Sequence, residues 1–161
     1  MIARKHRVFL ALGSNVGDSR AILTRAIAAL SSCITITAQA PVYETTPVGF
    51  VNQGNFFNTV IAGETELGPE DLLQFLKDTE KELGRIPRFR WGPREIDIDI
   101  LFYDDLIYKK DHLTIPHPSL HERDFVLVPL AAIAADLRHP VLGKTIRELV
   151  AAFPRQKRSL L

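Results

Sequence analysis

RWGPREIDIDI, Arg90 to Ile100, ends in a run that alternates apolar and acidic residues. Period-two alternation is the pattern of a half-buried β-strand. Ile96, Ile98 and Ile100 then face a core, and Asp97 and Asp99 share the opposite face. Two residues along a strand span ~6.6 Å at ~3.3 Å per residue, so the two carboxylates can converge on one point. Asp is a poor strand former, and like charges this close repel. Either something positive sits between them or they point into water.

Outward from this strand, the N-terminal side carries RVFLAL (Arg7 to Leu12), a buried strand, and then the turn GSNVGD. Asp18 is a good N-cap for a helix with apolar positions at Ile22, Leu23, Ala26, Ile27 and Leu30. ITITAQAPVYET is β-branched and alternating, with Pro41 marking an edge or a bulge. TTPVGFVNQGN reads as an exposed loop, and FFNTVIAGET, from Phe56, as a further strand. Gly68 and Pro69 open a second helix with Leu72, Leu73, Leu76 and Leu83 at helical spacing, and Gly84 stops it. Beyond IDIDILFY, DDLIYKKDHLTIPHP predicts a hairpin or loop excursion. Short helical pieces follow, the last capped by Thr145.

The order β-α-β-β-α-β predicts an α+β fold. It is a ferredoxin-like split βαβ core with a mainly antiparallel sheet, helices on its faces and a helical C-terminal addition. No linker or repeat divides residues 1–161, and that length suits a single domain with a real core. A net charge of +1 argues against bulk nucleic-acid binding and against a membrane surface. The single cysteine, Cys33, excludes an internal disulfide and a cysteine-based zinc site, and fits a reducing compartment. Arg4, Lys5 and Arg7 precede an apolar run too short for a secretory signal, and no stretch approaches a membrane span. A soluble, cytoplasmic monomer is expected.

Arg85 to Arg94 holds four arginines and no acid, whereas the next eleven residues, to Asp105, hold five acids and no base. This is either a solvated loop before an exposed strand edge, or a site for a polyphosphate carried on magnesium. Mg²⁺ is usually held by one or two carboxylates plus phosphate oxygens, and arginine forks bind the remaining oxygens in bidentate fashion. GSNVGD lacks the lysine of a phosphate loop and reads as a structural turn. Glu80 falls on the apolar stripe of its helix, where a structural pairing with Lys77 or a following arginine competes with a catalytic role. His117 stands between two prolines, rigidly displayed as a nucleotide contact or as an ordinary surface histidine.

ALGSN, YETTPVG, NFFN, RWGPREIDIDIL and IPHPSLHERDFVLVPL occur in this order between about Val8 and Pro140. Together they resemble the 6-hydroxymethyl-7,8-dihydropterin pyrophosphokinase family of folate biosynthesis. The resemblance implies diphosphate transfer from ATP, as co-substrate, to the hydroxymethyl oxygen of the dihydropterin, with release of AMP. It implies two Mg²⁺ ions bridged by Asp97 and Asp99, and Arg85 and Arg94 as the arginines that clasp the phosphates. Lys77, Arg88, Arg90, Trp91, Arg94, Ile100, Thr114, His117 and Arg123 match nucleotide contacts, with Ile100 beside the adenine.

Phe56 and Phe125 match the aromatic pair that sandwiches the pterin, and offset stacking suits a fused heteroaromatic ring. Asn58 matches the amide that reads the pterin edge, and Thr45, Thr46, Val48, Trp91 and Asp97 complete the substrate contacts. Pro87 stands where relatives often carry a further arginine, which makes Arg88 the candidate to replace that contact. Core packing is the plain alternative for the two phenylalanines. An RNA-binding module on the same fold would present aromatic and basic strand residues, not two carboxylates. A small-molecule sensor would not need the arginine loop. The expected partners are therefore small molecules.

Overall fold

The computed structural model describes residues 4–161. Strand β1 (His6–Ser14) leads through the predicted turn into helix α1 (Ser19–Leu30), where Asp18 accepts a hydrogen bond from the Ala21 N–H at 3.2 Å. Strand β2 (Ile34–Gln39) and the short β3 (Tyr43–Thr45) divide the segment expected as one strand. Pro41, which has no N–H to give a ladder, falls in the gap between them. Strand β4 (Phe56–Thr65) and helix α2 (Pro69–Glu82) have the predicted starts, and Gly84 follows α2 at a φ of 92°. Strand β5 (Asp97–Tyr103) is the IDIDI strand, and β6 (Tyr108–Lys110) pairs with β7 (Leu113–Ile115) as a hairpin. Helices α3 (Asp124–Ala134) and α4 (Ile146–Ala152) form the C-terminal addition, α4 closed by a Thr145–Glu148 capping box.

The main sheet runs β2-β4-β1-β5, with β3 also on β4 and every pair antiparallel. This is the split βαβ order: β4 lies between β1 and β2, and β1 between β4 and β5. Side chains alternate across the sheet, so each strand feeds two cores. Leu10, Leu12, Ile96, Ile98 and Ile100 pack with Leu23, Leu72 and Leu76 under α1 and α2. Phe9, Val60, Ala62 and Phe102 pack with Leu127, Leu130 and Ile146 under α3 and α4. Each isoleucine of β5 taken out of water is worth ~1.5–3 kcal/mol, which fixes the register and sends the two aspartates to the other face.

Helix α3 begins only at Asp124, and the sheet at the Ser14, Phe56 and Asp97 ends of its strands keeps an uncovered patch on that second face. No helix among the described residues is long and apolar enough to cross a membrane.

Candidate active site

A row of directly opposed residues crosses the sheet at this uncovered end. Asn58 of β4 pairs with Gly13 of β1, and Gly13 pairs with Asp97 of β5. One step inward, Ala11 lies between Val60 and Asp99. Strands are ~4.8 Å apart, so the Asn58 and Asp97 backbones stand roughly 10 Å from each other across a floor that holds only a glycine and an alanine. A Cβ at Gly13 would lie 2.6 Å from Asn58 Oδ1, so the floor stays at backbone level. Asn58 is aimed by its neighbour, donating from Nδ2 to Thr45 Oγ1 at 2.7 Å.

Above the floor opens a cavity of about 280 Å³. Thr45, Thr46, Val48 and Phe56 line it from β3, β4 and the loop between them. Asp97 and Asp99 line it from β5, and Arg90, Trp91 and Arg94 from the preceding loop. His117, Arg123 and Phe125 line it from the chain that leads into α3. Phe56 and Phe125 are half-buried at the cavity edge, and Phe125 also packs against the core under α3 and α4. Arg123 lies over both Trp91 and Phe125, at 5.8 and 5.7 Å from the ring centroids.

The two aspartates occupy unequal surroundings. Asp97 is held by Arg85 at 3.1 Å and by Arg94 at 3.2 Å. Arg85 also binds Glu80 at 2.8 Å, and the same Glu80 oxygen accepts from the Ile98 N–H at 2.8 Å, so α2 is stitched to β5. Burial pushes Glu80 up to about 7, outweighing the Ile98 N–H and Arg85. Asp99 has no hydrogen-bond or ion-pair partner among the described residues. Burial, and after it the charge of Asp97, holds its carboxyl well above the usual carboxylate range. The residue is only half-buried, and no fully buried side-chain oxygen among the described residues lacks a partner, so its carboxyl edge opens onto the cavity.

The fit to magnesium follows from the donor set. It offers two hard oxygen donors, and no group of three or more metal-ligating side chains forms among the described residues. A cation held there would draw its other ligands from outside the protein, as Mg²⁺ bound with phosphates usually does.

His117 is pushed down to about 4, by burial and then by the Arg123 charge, and is neutral at pH 7. Its Nδ1 accepts from the Ser119 N–H at 3.1 Å, which leaves Nε2 carrying the proton as a donor.

Two loops close over this site and are tied to one another. Gln53 Nε2 donates to Phe50 O and to Trp91 O, each at 2.7 Å, and Gln53 Oε1 accepts from Asn15 Nδ2 at 2.9 Å. Asn15 also accepts from the Arg94 N–H at 2.8 Å and donates its own N–H to Arg94 O at 3.0 Å. Phe50 meets Phe89 edge-on at 5.0 Å. Trp91 holds a φ of 66°, an unfavourable region for a bulky residue that only its surroundings can maintain.

Comparison with known proteins decides what this site belongs to. The profile of the 7,8-dihydro-6-hydroxymethylpterin-pyrophosphokinase family matches residues 9–135. The chain belongs to this family. It is 47% identical over 141 residues to the 2-amino-4-hydroxy-6-hydroxymethyldihydropteridine pyrophosphokinase of Aquifex aeolicus, covering 88% of each chain. It is 44% identical over 147 residues to the enzyme of that name from Methylorubrum extorquens, covering 90% of this chain and 92% of that one. Among solved structures, a Plasmodium falciparum HPPK-DHPS triple mutant superposes with a TM-score of 0.77 at 18% identity. The match covers 92% of this chain and 43% of that longer one, and it bears on the fold alone.

As a member of this family the chain is an enzyme, a pyrophosphokinase. Of its expected site residues, Thr45, Thr46, Val48, Phe56, Asn58, Arg90, Trp91, Arg94, Asp97, Asp99, His117, Arg123 and Phe125 converge on the one cavity. Five others do not line it. Ile100, expected beside an adenine, is 4% exposed and packs in the α1/α2 core, because the alternation that exposes Asp99 buries its neighbour. Lys77 is exposed on α2, and Thr114 is half-buried opposite Lys109 in the hairpin. Arg88 is paired with Glu95 by two 2.7 Å bonds and lies outside the cavity lining. Arg85 stands behind Asp97 and reaches the site through it. Asn15, Gln53 and Gly13 were not among the expected residues. Gly13 and Asn15 lie in the turn GSN, which reads as structural, and Gln53 lies in the loop TTPVGFVNQGN.

Proposed function

We propose that this pyrophosphokinase moves the terminal diphosphate of ATP onto the hydroxymethyl oxygen of 6-hydroxymethyl-7,8-dihydropterin, a step of folate biosynthesis. The hydroxyl oxygen forms a bond to the β-phosphorus, the bond between that phosphorus and the α–β bridging oxygen breaks, AMP leaves with the electron pair, and the hydroxyl proton is lost. The observation that carries this reading is the row Asn58–Gly13–Asp97. The backbones of Asn58, whose amide suits a heteroaromatic edge, and of Asp97, one of a carboxylate pair suited to a metal-bound polyphosphate, stand roughly 10 Å apart. A bicyclic pterin with its hydroxymethyl arm spans that gap.

In this reading Phe56 and Phe125 stack on the pterin, and Asn58, oriented by Thr45, reads its polar edge with help from Thr46 and Val48. Arg94 binds phosphate oxygens, and Arg85, anchored on Glu80, keeps Asp97 in position. Arg90, Trp91 and Arg123 hold the nucleotide, joined by the neutral His117 through its Nε2–H. Asp97 and Asp99 are the residues that would hold two Mg²⁺ ions, which neutralise the triphosphate when bound. Phosphoryl transfer asks mainly for such positioning and charge stabilisation. The exposed free thiol of Cys33 suits the cytoplasm.

The test is direct. The protein incubated with ATP, Mg²⁺ and the reduced pterin alcohol is expected to form AMP and the pterin diphosphate in equal amounts. Formation of ADP instead, or AMP formation independent of the pterin, overturns the assignment.

A further inference from the structure

The chain has one buried carboxylate that the reaction does not use. Asp124 is 3% exposed and sits between Arg123 and Phe125, two residues of the cavity wall, at the start of α3. Its side chain does not cap its own helix. It accepts instead from the Ser159 N–H at 2.6 Å, the Leu160 N–H at 3.2 Å and the Ser159 hydroxyl. Residues 154–158 are all exposed, and the chain then dips back so that Ser159 is 5% exposed. From there it runs along the opposite wall. Ser159 O accepts from the Thr46 N–H at 2.8 Å and from Thr46 Oγ1 at 3.3 Å, Leu160 bridges Thr45, and the Leu161 N–H donates to Glu44 O at 3.1 Å.

We infer that Ser159–Leu161, with Asp124 as its anchor, is a positioning element of the pterin half of the site, an inference that rests on the function proposed above. The tail bonds at once to Thr46, just past β3, and to Asp124 at the start of α3, adding polar links between two walls that already touch. It thereby fixes Thr45, whose hydroxyl aims the Asn58 amide at 2.7 Å. The relay runs from Asp124 through the tail to Thr45 and Asn58. None of these links touches Asp97, Asp99, Arg94 or His117. The element's hydrogen bonds reach the pterin half directly and the nucleotide half only through the backbone next to Arg123, so its loss weakens recognition of the heteroaromatic ring more than nucleotide binding. Pre-ordering a pocket raises affinity by lowering the cost of assembling it on binding.

The experiment compares the parent with a chain ending at Arg158, with Asp124→Ala and with the conservative Asp124→Asn. Titrations use the pterin alcohol in the presence of a non-hydrolysable ATP analogue and Mg²⁺, and the Mg²⁺–analogue alone. Loss of the tail and Asp124→Ala are each expected to weaken the pterin about tenfold, the scale of one well-made hydrogen bond lost. The analogue is expected to bind within about twofold of the parent, and Asp124→Asn to recover part of the loss. Turnover under saturating pterin should persist, which separates a raised KM from a lost kcat. Unchanged pterin affinity in the shortened chain refutes the inference, as does an equal weakening of both ligands. Should Asp124→Ala or the shortened chain fold poorly, the shortened chain carrying Asp124→Asn, which removes the charge left without donors, still decides. A parent protein that binds the analogue but not the pterin would instead sink the functional assignment itself.

Discussion

Asp97 and Asp99 share a face and a charge but not a role in folding, and Asp99→Asn separates the two. Their repulsion across ~6.6 Å of strand is on the order of 2.5 kcal/mol at an effective dielectric constant of ~20. Asp97 recovers its part through Arg85 and Arg94, while Asp99 has no such partner among the described residues. Part of the repulsion is offset by the fields of Arg123 and Arg94, so we predict a net gain of ~1–2 kcal/mol for Asp99→Asn. At ~2–4 °C per kcal/mol for a domain of this size, the melting temperature should rise by roughly 2–8 °C.

The sign with pH is definite. A carboxyl raised above its unfolded value costs stability as pH climbs from the unfolded pKa toward the folded one. The gap between variant and parent should therefore widen from pH 5 to pH 8. Asp97→Asn should gain nothing and lose up to ~1 kcal/mol with its two arginine contacts. Mg²⁺ with an ATP analogue should raise the parent's melting temperature and leave Asp99→Asn nearly unmoved, with AMP formation almost abolished. Calorimetry at three pH values and a turnover assay suffice. An Asp99→Asn variant that melts below the parent, or one that keeps turnover, refutes the reasoning.

Phe56→Ala and Phe125→Ala should each weaken pterin binding about tenfold by loss of stacking, with analogue binding unchanged; equal losses for both ligands in calorimetric titration would return these rings to core packing. For His117 the folded value of about 4 lies below the ordinary 6.5, so the stability it confers is present above pH 6.5 and lost on acidification toward pH 4. At ~1.4 kcal/mol per pH unit, reduced for partial exposure, the loss is ~2 kcal/mol, and His117→Asn should flatten that part of the stability curve; an identical curve in the variant would count against the burial argument. Gln53→Ala removes the tie between the two loops, so hydrogen exchange should quicken in residues 46–55 and 85–94 together while the melting temperature moves by less than ~2 °C. Exchange that quickens in only one loop would show that they move independently.

The parts legible in the sequence are those governed by neighbours. IDIDI alternates because its isoleucines meet one core, and Asp18 and Gly68–Pro69 start helices through bonds and dihedral angles within a turn. The two-faced sheet follows from that alternation together with the order of elements. What did not show was every contact between distant positions. Asn15 and Gln53 lie 38 residues apart, Asn15 and Arg94 79 apart, and Asp124 and Ser159 35 apart. No local pattern distinguishes those polar residues from ordinary loop and terminal ones. The same reason hid the difference between the two aspartates, because Asp97 is caged only once α2 ends where it places Arg85 above β5. Ile100 shows both sources at once: its place beside an adenine comes from resemblance, and its place in the core, which the packing shows, comes from periodicity.

The bare floor at Gly13 has a consequence for inhibition. A compound that rests on that patch and engages Asn58 leans on a surface that the enzyme cannot easily redraw, since any side chain there collides with the Asn58 amide before it meets the compound. Alanine, the smallest escape, already falls at 2.6 Å from Asn58 Oδ1, well inside ordinary contact. Resistance by substitution should therefore arise at the rim, at Val48 or Trp91, where side chains are exposed and change costs little folding energy. Chemotypes that draw their affinity from the floor should be slower to lose it.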